Sequence, residues 1–378
     1  MQLRDHTVGA SGFVPSPELP PPRSEVGVIG WLKHNLFSSV TNGLLTVIGL
    51  WILYKLVAAA LNWAVFSAVW TGPDGTVCHR PEVGACWPFV TAKFGQFMYG
   101  RYPDAERWRA NLSLILALSA IIPLAWPGTP GKRYFAIYGL AVLPVTIAIL
   151  LAGGYFGLTP VPTELWGGLL VSLVVATCGI IGSFPVGIML ALGRRSRMPV
   201  ARWASIFFIE FVRAVPLITI LFMSSVMLPL FLPEGVSFDK LMRALIAVML
   251  FSGAYMAETI RGGLQAIPRG QFEAADALGL RYGHKMGLIV LPQALKLVIP
   301  GICNSFVGLA KDTVLVLIIG IFDLLGIIQA NLTDAKWFAP NVPMTGYVFA
   351  AIIFWCLCFG ISRYSSWLEG RLAAGDRR

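Results

Sequence analysis

Eight stretches of the chain stay apolar for roughly the twenty residues that a helix needs to cross a hydrocarbon core. They run over about 41–69, 110–127, 134–156, 167–193, 204–231, 241–262, 305–330 and 346–366. The runs are long and continuous, without the short alternating segments of a transmembrane barrel. The pattern predicts an all-α integral membrane protein with about eight transmembrane helices. Apolar helices in lipid associate by close packing of small residues rather than by burial from water, and 39 glycines in 378 residues suit that mode.

Composition sharpens the class. Only 13% of residues are charged, about half the share in soluble domains. A net charge of +10 needs no nucleic acid here, because excess Lys and Arg in a membrane protein marks cytoplasmic loops. With a cytoplasmic N-terminus, the inside loops are 128–133 (Lys132, Arg133), 194–203 (Arg194, Arg195, Arg197, Arg202), 263–304 (Arg269, Arg281, Lys285, Lys296) and the tail (Arg371, Arg377, Arg378). Both termini are then expected in the cytoplasm. Outside loops 157–166 and 331–345 carry only Lys336. Loop 70–109 departs from the rule: it holds Arg80, Lys93, Arg101, Arg107 and Arg109 beside Asp74, Glu82, Asp104 and Glu106.

Residues 1–40 read as a cytoplasmic tail, Pro-rich and disordered over 1–27. Around Trp31, Leu32, Leu36 and Phe37 it forms either a short interfacial helix or a plain loop. The first apolar run starts too late for a cleavable secretory signal. A composition boundary near 160 separates a three-span N-terminal extension, 41–160, from a five-span section, 161–372. Trp51, Trp63, Trp70 and Trp166 are expected at the interfaces. Cys178, Cys303, Cys356 and Cys358 lie in apolar runs as small core residues. Cys78 and Cys86 share a polar loop and form a disulfide only if it faces an oxidising compartment; the sequence leaves this open.

Between the sixth and seventh spans lies a polar, Ala- and Gly-rich stretch, EAADALGLRYGHKMGLIVLP, from Glu273 to Pro292. Spanning does not require it, so it is a docking segment. Pro268 suits the start of a helix, and Glu273 favours its dipole. Ala274, Ala275 and Ala277 keep the helix slim, with Phe272 and Leu278 as apolar anchors. Gly279 supplies the left-handed residue that ends a helix, and a second helix starts near Tyr282. The result is a helix–Gly–helix elbow that inserts into a partner's groove. The run 286–304 is broken by Pro292 and Pro300 around Lys296, and reads as a bent segment on the cytoplasmic side.

Glu273-Ala274-Ala275, Gly279, Ile289, Leu291 and Pro292 stand at the spacing EAA–x3–G–x9–I–x–L–P. This resembles the EAA loop of the membrane permease subunits of bacterial ABC importers. EFVRAVPL (Glu210–Leu217), SGAYMAETIRGGLQAIPRGQ (Ser252–Gln271) and AKDTVLVLIIGIFDLL (Ala310–Leu325) look like segments of the polar amino-acid permeases. The similarity covers about 163–372. The extra N-terminal spans look like those of the larger permease subunits of general L-amino-acid importers. Ala214 stands where the family usually has Gly, and Val314 where Ser is common.

The resemblance implies alternating access. A periplasmic binding protein delivers the amino acid, and two permease subunits, here a heterodimer with a related chain, form the pathway. Two ATPase subunits grip the two EAA loops. ATP and magnesium then belong to the partner ATPase. This chain has no G-x-x-x-x-G-K-[ST] sequence, and binds no cofactor of its own.

A charge at the bilayer centre costs roughly 2.5–3.5 kcal/mol on insertion scales, so it needs a partner, water or a function. Lys311, Asp312 and Thr313, with Asn304 upstream, are pathway candidates, Asp312 accepting from the substrate's ammonium. The alternative is that Lys311 snorkels and Asp312 caps the helix starting at Thr313. Glu210 with Arg213 and Glu258 with Arg261 are three apart, which suits local helix pairs, and Pro216 kinks its span toward a hinge. The four His are scattered, so no metal site is expected. No paired carboxylates or nucleophile–base set suggest an intramembrane enzyme. An ion-coupled secondary amino-acid transporter would explain the spans but leave the EAA loop without a use.

Overall fold

The computed structural model describes residues 27–80, 82–126, 128–233 and 238–375; the expected disordered tail, 1–27, lies outside them except for Gly27, which opens a helix. Contacts divide the chain into two compact units, Met1–Ser67 and Ala68–Arg378.

In the first unit, α1 (Gly27–Asn35) precedes α2 (Val40–Leu61), which runs on through a π-helical turn to Phe66. Ser39 caps α2 by accepting from the Asn42 N–H at 3.1 Å. Val28, Trp31 and Leu32 of α1 are exposed, giving the apolar surface that an interfacial helix needs. No residue of α2 is buried, and it is apolar all round, as a lipid-solvated span is. Trp51 lies in its middle rather than at its end.

The second unit begins with α3 (Trp87–Tyr99). Spans follow as α4 (Arg107–Ala125), then α5 (Lys132–Ile137) leading through a π turn into α6 (Leu143–Ala152), then α7 (Gly168–Arg194). The next apolar run is broken into α8 (Pro199–Ala214) and α9 (Leu217–Phe222), the latter extending irregularly to Phe231. Next come α10 (Lys240–Ala266), the short helices α11 (Arg269–Ala277), α12 (Tyr282–His284) and α13 (Leu291–Leu297), then α14 (Ile299–Asp312), α15 (Leu324–Asn331) and α16 (Val342–Gly375).

The frame is the pair α7 and α10. Val171 and Val175 share a core with Ala244, Ala247 and Val248, and Ala191 shares another with Met256, Ala257, Ile260 and Leu264. The two helices therefore run parallel. Each has 27 residues, about 40 Å at 1.5 Å per residue. The chain between them must climb back over that height, so the broken α8–α9 pair counts as one crossing. Seven unbroken spans and this one make eight among the described residues. Glycines let α7 and α10 meet: a Cβ on Gly187 would lie 2.8 Å from the Met256 Cβ and 3.2 Å from the Ala257 nitrogen.

Four further expectations need correction. The run 204–231 is not a simple kinked helix, because its two parts meet at 106°. Pro216 cannot donate to the preceding turn, and Val215 before it is extended, at φ −102° and ψ 134°. The run 305–330 is not one helix either. Its span is Ile299–Ile319, so the helix starts within the segment expected to be a bent insertion. Past Asp312 it tightens to a 3₁₀ helix, Thr313–Ile319, which ends at left-handed Gly320 (φ +74°). Asp323, fully buried, then starts α15 by accepting from the Gly326 N–H at 2.9 Å and the Leu325 N–H at 3.3 Å. Burial pushes its carboxyl above the usual range, against the pull of those donors. Trp166, third, is no interfacial anchor: it is buried against Tyr102. The four span cysteines are half-buried or exposed rather than core.

Loop 70–109 explains its own breach of the charge rule. It carries α3, whose Phe89, Val90 and Phe97 are buried against Leu324, Ile328 and Trp337. Cys78 and Cys86 form a disulfide. Lys93 pairs with Asp334, Arg107 with Asp104 and Arg109 with Glu106, each at 2.6 Å. Arg101 donates to the Glu164 carbonyl at 3.2 Å. Four of the loop's five basic side chains thus serve as contacts that hold its fold. Tyr102, Ala110, Leu151 and Val161 share a core with Val171 and Leu221, so packing is continuous across the composition boundary near 160.

Candidate functional site

The segment Glu273–Pro292 forms the elbow at the Arg194 end of the α7–α10 pair. Helix α11 ends in a complete reverse-turn cap. The Leu280 N–H donates to the Ala275 carbonyl at 3.2 Å and the Gly279 N–H to the Asp276 carbonyl at 2.9 Å. Gly279 sits at φ +69°. This is the Schellman arrangement, and the left-handed residue at its centre explains the glycine. The chain then runs through α12, a π-helical turn Lys285–Val290 and α13 without a break. Lys285 reaches back to Asp276 at 2.5 Å, and Gln293 donates to Gln271 at 3.1 Å. Both contacts close the second arm on the first.

The elbow has an inner and an outer side. Ala275 and Val290 are fully buried, and Phe272, Ile289 and Leu291 pack on the same cluster as Ile260 and Leu264. A Cβ on Gly263 would lie 2.5 Å from the Ala294 carbonyl, so α13 is pressed onto α10. Facing out are Glu273, Ala274 and Ala277, with Leu278, Tyr282 and Leu288 at 76%, 56% and 70% exposure. Two sequence assignments change. Ala275 faces this chain's own core, not a partner, and Leu278 is presented outward instead of anchoring. Glu273 has no ion-pair partner among the described residues, and Pro292, exposed, follows directly on the π-helical turn, where it has no N–H to offer the turn before it.

Beside the elbow, five charged groups converge. Arg194 Nη1 lies 2.8 Å from Glu210 and 2.9 Å from Glu258. Glu258 also takes Arg261 at 2.7 Å and Arg213 at 3.7 Å. The expected Glu258–Arg261 pair forms. The expected Glu210–Arg213 pair does not: α8 crosses over α7 and α10, and each residue finds a partner on a neighbouring helix instead. Arg194 carries no sign of this role in the sequence, because its partners lie 16 and 64 residues away and no local spacing announces them. Pro216 lies at the break two residues past α8.

The membrane-depth candidates are spread out. Asp312 ends α14 half-buried and caps nothing with its side chain. Lys311 and Asn304 are exposed, seven residues apart and so on one helical face. Thr313 points the other way: it is buried and donates to the Ala310 carbonyl at 3.0 Å, which removes it as an open pathway group. Among the described residues no cluster of His, Cys, Asp or Glu could hold a metal.

Residues 183–374 match the model of the binding-protein-dependent transport system inner membrane component family. The inner membrane amino-acid ABC transporter permease protein YhdY of Escherichia coli (strain K12) is 51% identical over 91% of this chain and 93% of its own. The glutamate/glutamine/aspartate/asparagine transport system permease protein BztC of Rhodobacter capsulatus is 39% identical over 95% and 96%. The probable glutamine ABC transporter permease protein GlnP of Bacillus subtilis is 33% identical over 55% of this chain but 93% of its own. Among solved structures, an amino acid ABC transporter crystallised with histidines aligns with a TM-score of 0.47 at 27% identity, over 54% of this chain and 92% of that one. Two long relatives matched nearly end to end, and a family model over the elbow and the charged groups, identify the fold: the chain is a multi-pass transport subunit and belongs to the family of binding-protein-dependent transport system inner membrane components.

Proposed function

We propose that this chain is the permease subunit through which an ABC importer passes L-amino acids across a bacterial inner membrane, its elbow seated in an ATPase subunit. The observation that carries this is the two-sidedness of the elbow. Phe272, Ile289 and Leu291 pack it against the core that α10 shares, while Glu273, without an ion-pair partner among the described residues, and exposed Ala274, Leu278 and Tyr282 face away. Large apolar groups left on a polar loop mark a protein contact. ATP and magnesium belong to that partner, with Glu273 meeting a basic group in its groove.

The Arg194 end faces the cytoplasm and the Trp166 end the periplasm. Support comes from the Arg194–Arg202 cluster at one end and the Cys78–Cys86 disulfide at the other. Both termini then lie inside. A periplasmic amino-acid-binding protein delivers cargo at the Trp166 end, and a second, related permease chain completes the pathway, with Asp312 as the contact for the cargo's ammonium. The core is 161–372 and the extension 41–160, in line with a GlnP relative that spans only about half of this chain.

The test is the double variant Glu273→Ala/Gly279→Pro in the complete transporter. It should insert normally yet lose the co-purifying ATPase and ATP-dependent uptake. Normal uptake in that variant refutes the docking role. Gradient-driven uptake by the chain alone in liposomes would instead establish an ion-coupled transporter.

A further inference from the structure

Two consecutive residues, Arg194 ending α7 and Arg195 capping it, reach three other helices. Arg194 holds Glu210 of the broken span at 2.8 Å and Glu258 of α10 at 2.9 Å through one nitrogen, Nη1. Arg195 donates to the Leu264 carbonyl at 2.8 Å and lies over the Phe272 ring of α11 at 5.6 Å. The turn Arg194–Arg195 therefore links the elbow to the broken span through two adjacent residues. α8 is also seated through Ile209 and Val212, both buried, and through Arg213, 3.7 Å from Glu258; Arg194 is its ion-pair link to the end of α7, while Val200, Trp203 and Phe207 face outward at 82%, 69% and 70% exposure. Beyond it the chain is bent by 106°, where a rotation of α8 moves α9 rather than deforming a continuous helix.

From this geometry we infer that Arg194 is a positioning residue for transport: it transmits displacement of the elbow to the broken span. The inference rests on the proposed docking of an ATPase at the elbow. Glu258 is the fixed point. Its side chain is 15% exposed and accepts from Arg194 and Arg261, with Arg213 at 3.7 Å, so it stays anchored when Arg194 loses its grip. A charge buried to this depth is costly to leave unpaired. The link to Glu210, more than half exposed, is the one free to open and close. Ion pairs between packed elements are among the contacts that carry coupling.

The experiment uses the complete transporter, purified through a tag on this chain with its ATPase. It is reconstituted with its binding protein and given a mixture of radiolabelled L-amino acids. Three forms are compared: R194Q, R194K and wild type. Coupling changes along such junctions amount to about two- to thirtyfold. In R194Q the ATPase should stay bound and keep hydrolysing ATP, while amino acids moved per ATP fall about tenfold. R194K, which keeps a charge between the two carboxylates, should stay within about threefold of wild type. An unchanged ratio in R194Q, even with both rates lowered, overturns the inference, since damaged folding alone lowers both together. Loss of the ATPase from R194Q overturns it too, because the residue would then act on docking. Glu273→Ala/Gly279→Pro run alongside separates the readings: if that variant keeps its ATPase, the docking proposal is what has failed.

Discussion

The ammonium of Lys93 lies 2.6 Å from the carboxylate of Asp334, across 241 residues of chain. Together with the Cys86 N–H donating to Thr345 at 2.8 Å and Asn341 donating to the Val83 carbonyl, it fastens the loop of the N-terminal extension to the connection between α15 and α16. Hydrogen bonding from Lys93, then from the Lys336 N–H, holds the Asp334 carboxyl below the usual range. A carboxylate depressed in the folded state stabilises it fully above its unfolded value near 3.9. That contribution fades as pH falls through the lower folded value. Amide exchange across 334–345 should therefore accelerate as pH drops from about 5 to about 3, after correction for intrinsic rates. In Lys93→Met the exchange should be faster at neutral pH and flatter with pH. An identical pH profile in the variant would show that the pair does not hold this connection.

The disulfide makes a separate claim on the same loop. Cys78 and Cys86 close a loop with a sequence separation of eight, for which chain entropy gives about 2–3 kcal/mol. Cys78→Ser/Cys86→Ser should raise exchange over 75–86, and over 337–342 through the contact between Gly75 and Trp337. The elbow at 269–297 should be unaffected. A uniform rise over both regions would mean that the loss is global instead.

The elbow was legible because its logic is local. Glu273, Gly279, Ile289 and Pro292 lie within twenty residues, and a left-handed glycine, like Pro268 ahead of α11, writes itself into sequence. Pro216 was legible as an interruption, but not its 106° bend, which depends on how α8 lies across α7 and α10. The run 305–330 was misread because hydropathy continues through Gly320 and Asp323 while the backbone turns. Helix α3 was missed entirely. Only four of its residues are buried, and they pack on the start of α7 at Gly168 and Leu169 and on Leu324, Ile328 and Trp337, all distant in sequence. Arg194 shows the general limit: an ion pair across helices leaves no periodic trace.

Gly279 offers the sharpest single-residue test of the elbow. At φ +69° nothing lies within 4 Å of an added Cβ, so any penalty is conformational rather than steric. A non-glycine residue there should cost about 1–2 kcal/mol, and Asn, which tolerates this region, should cost less than Val. ATPase retention on purification should therefore rank wild type, Gly279→Asn, Gly279→Val. Equal retention in Asn and Val variants would indicate that the turn re-forms with another geometry.

The α7–α10 seam separates two glycines that look alike in sequence. A Cβ on Gly182 would fall 2.1 Å from the Met249 sulfur, whereas one on Gly187 meets the Met256 Cβ at 2.8 Å and the Ala257 backbone nitrogen at 3.2 Å. A thioether can swing aside, because methionine has three soft torsions. A Cβ and a backbone nitrogen cannot move without parting the helices. Overpacking of this kind costs about 1–3 kcal/mol. Gly187→Ala should lower the thermal midpoint in detergent clearly, and Gly182→Ala much less. Gly308→Ala, with nothing within 4 Å of the added carbon, should be neutral. If Gly182→Ala proves as damaging as Gly187→Ala, Met249 is locked in place. The seam would then be rigid along its whole length, leaving the broken span, not this pair, as the element that moves.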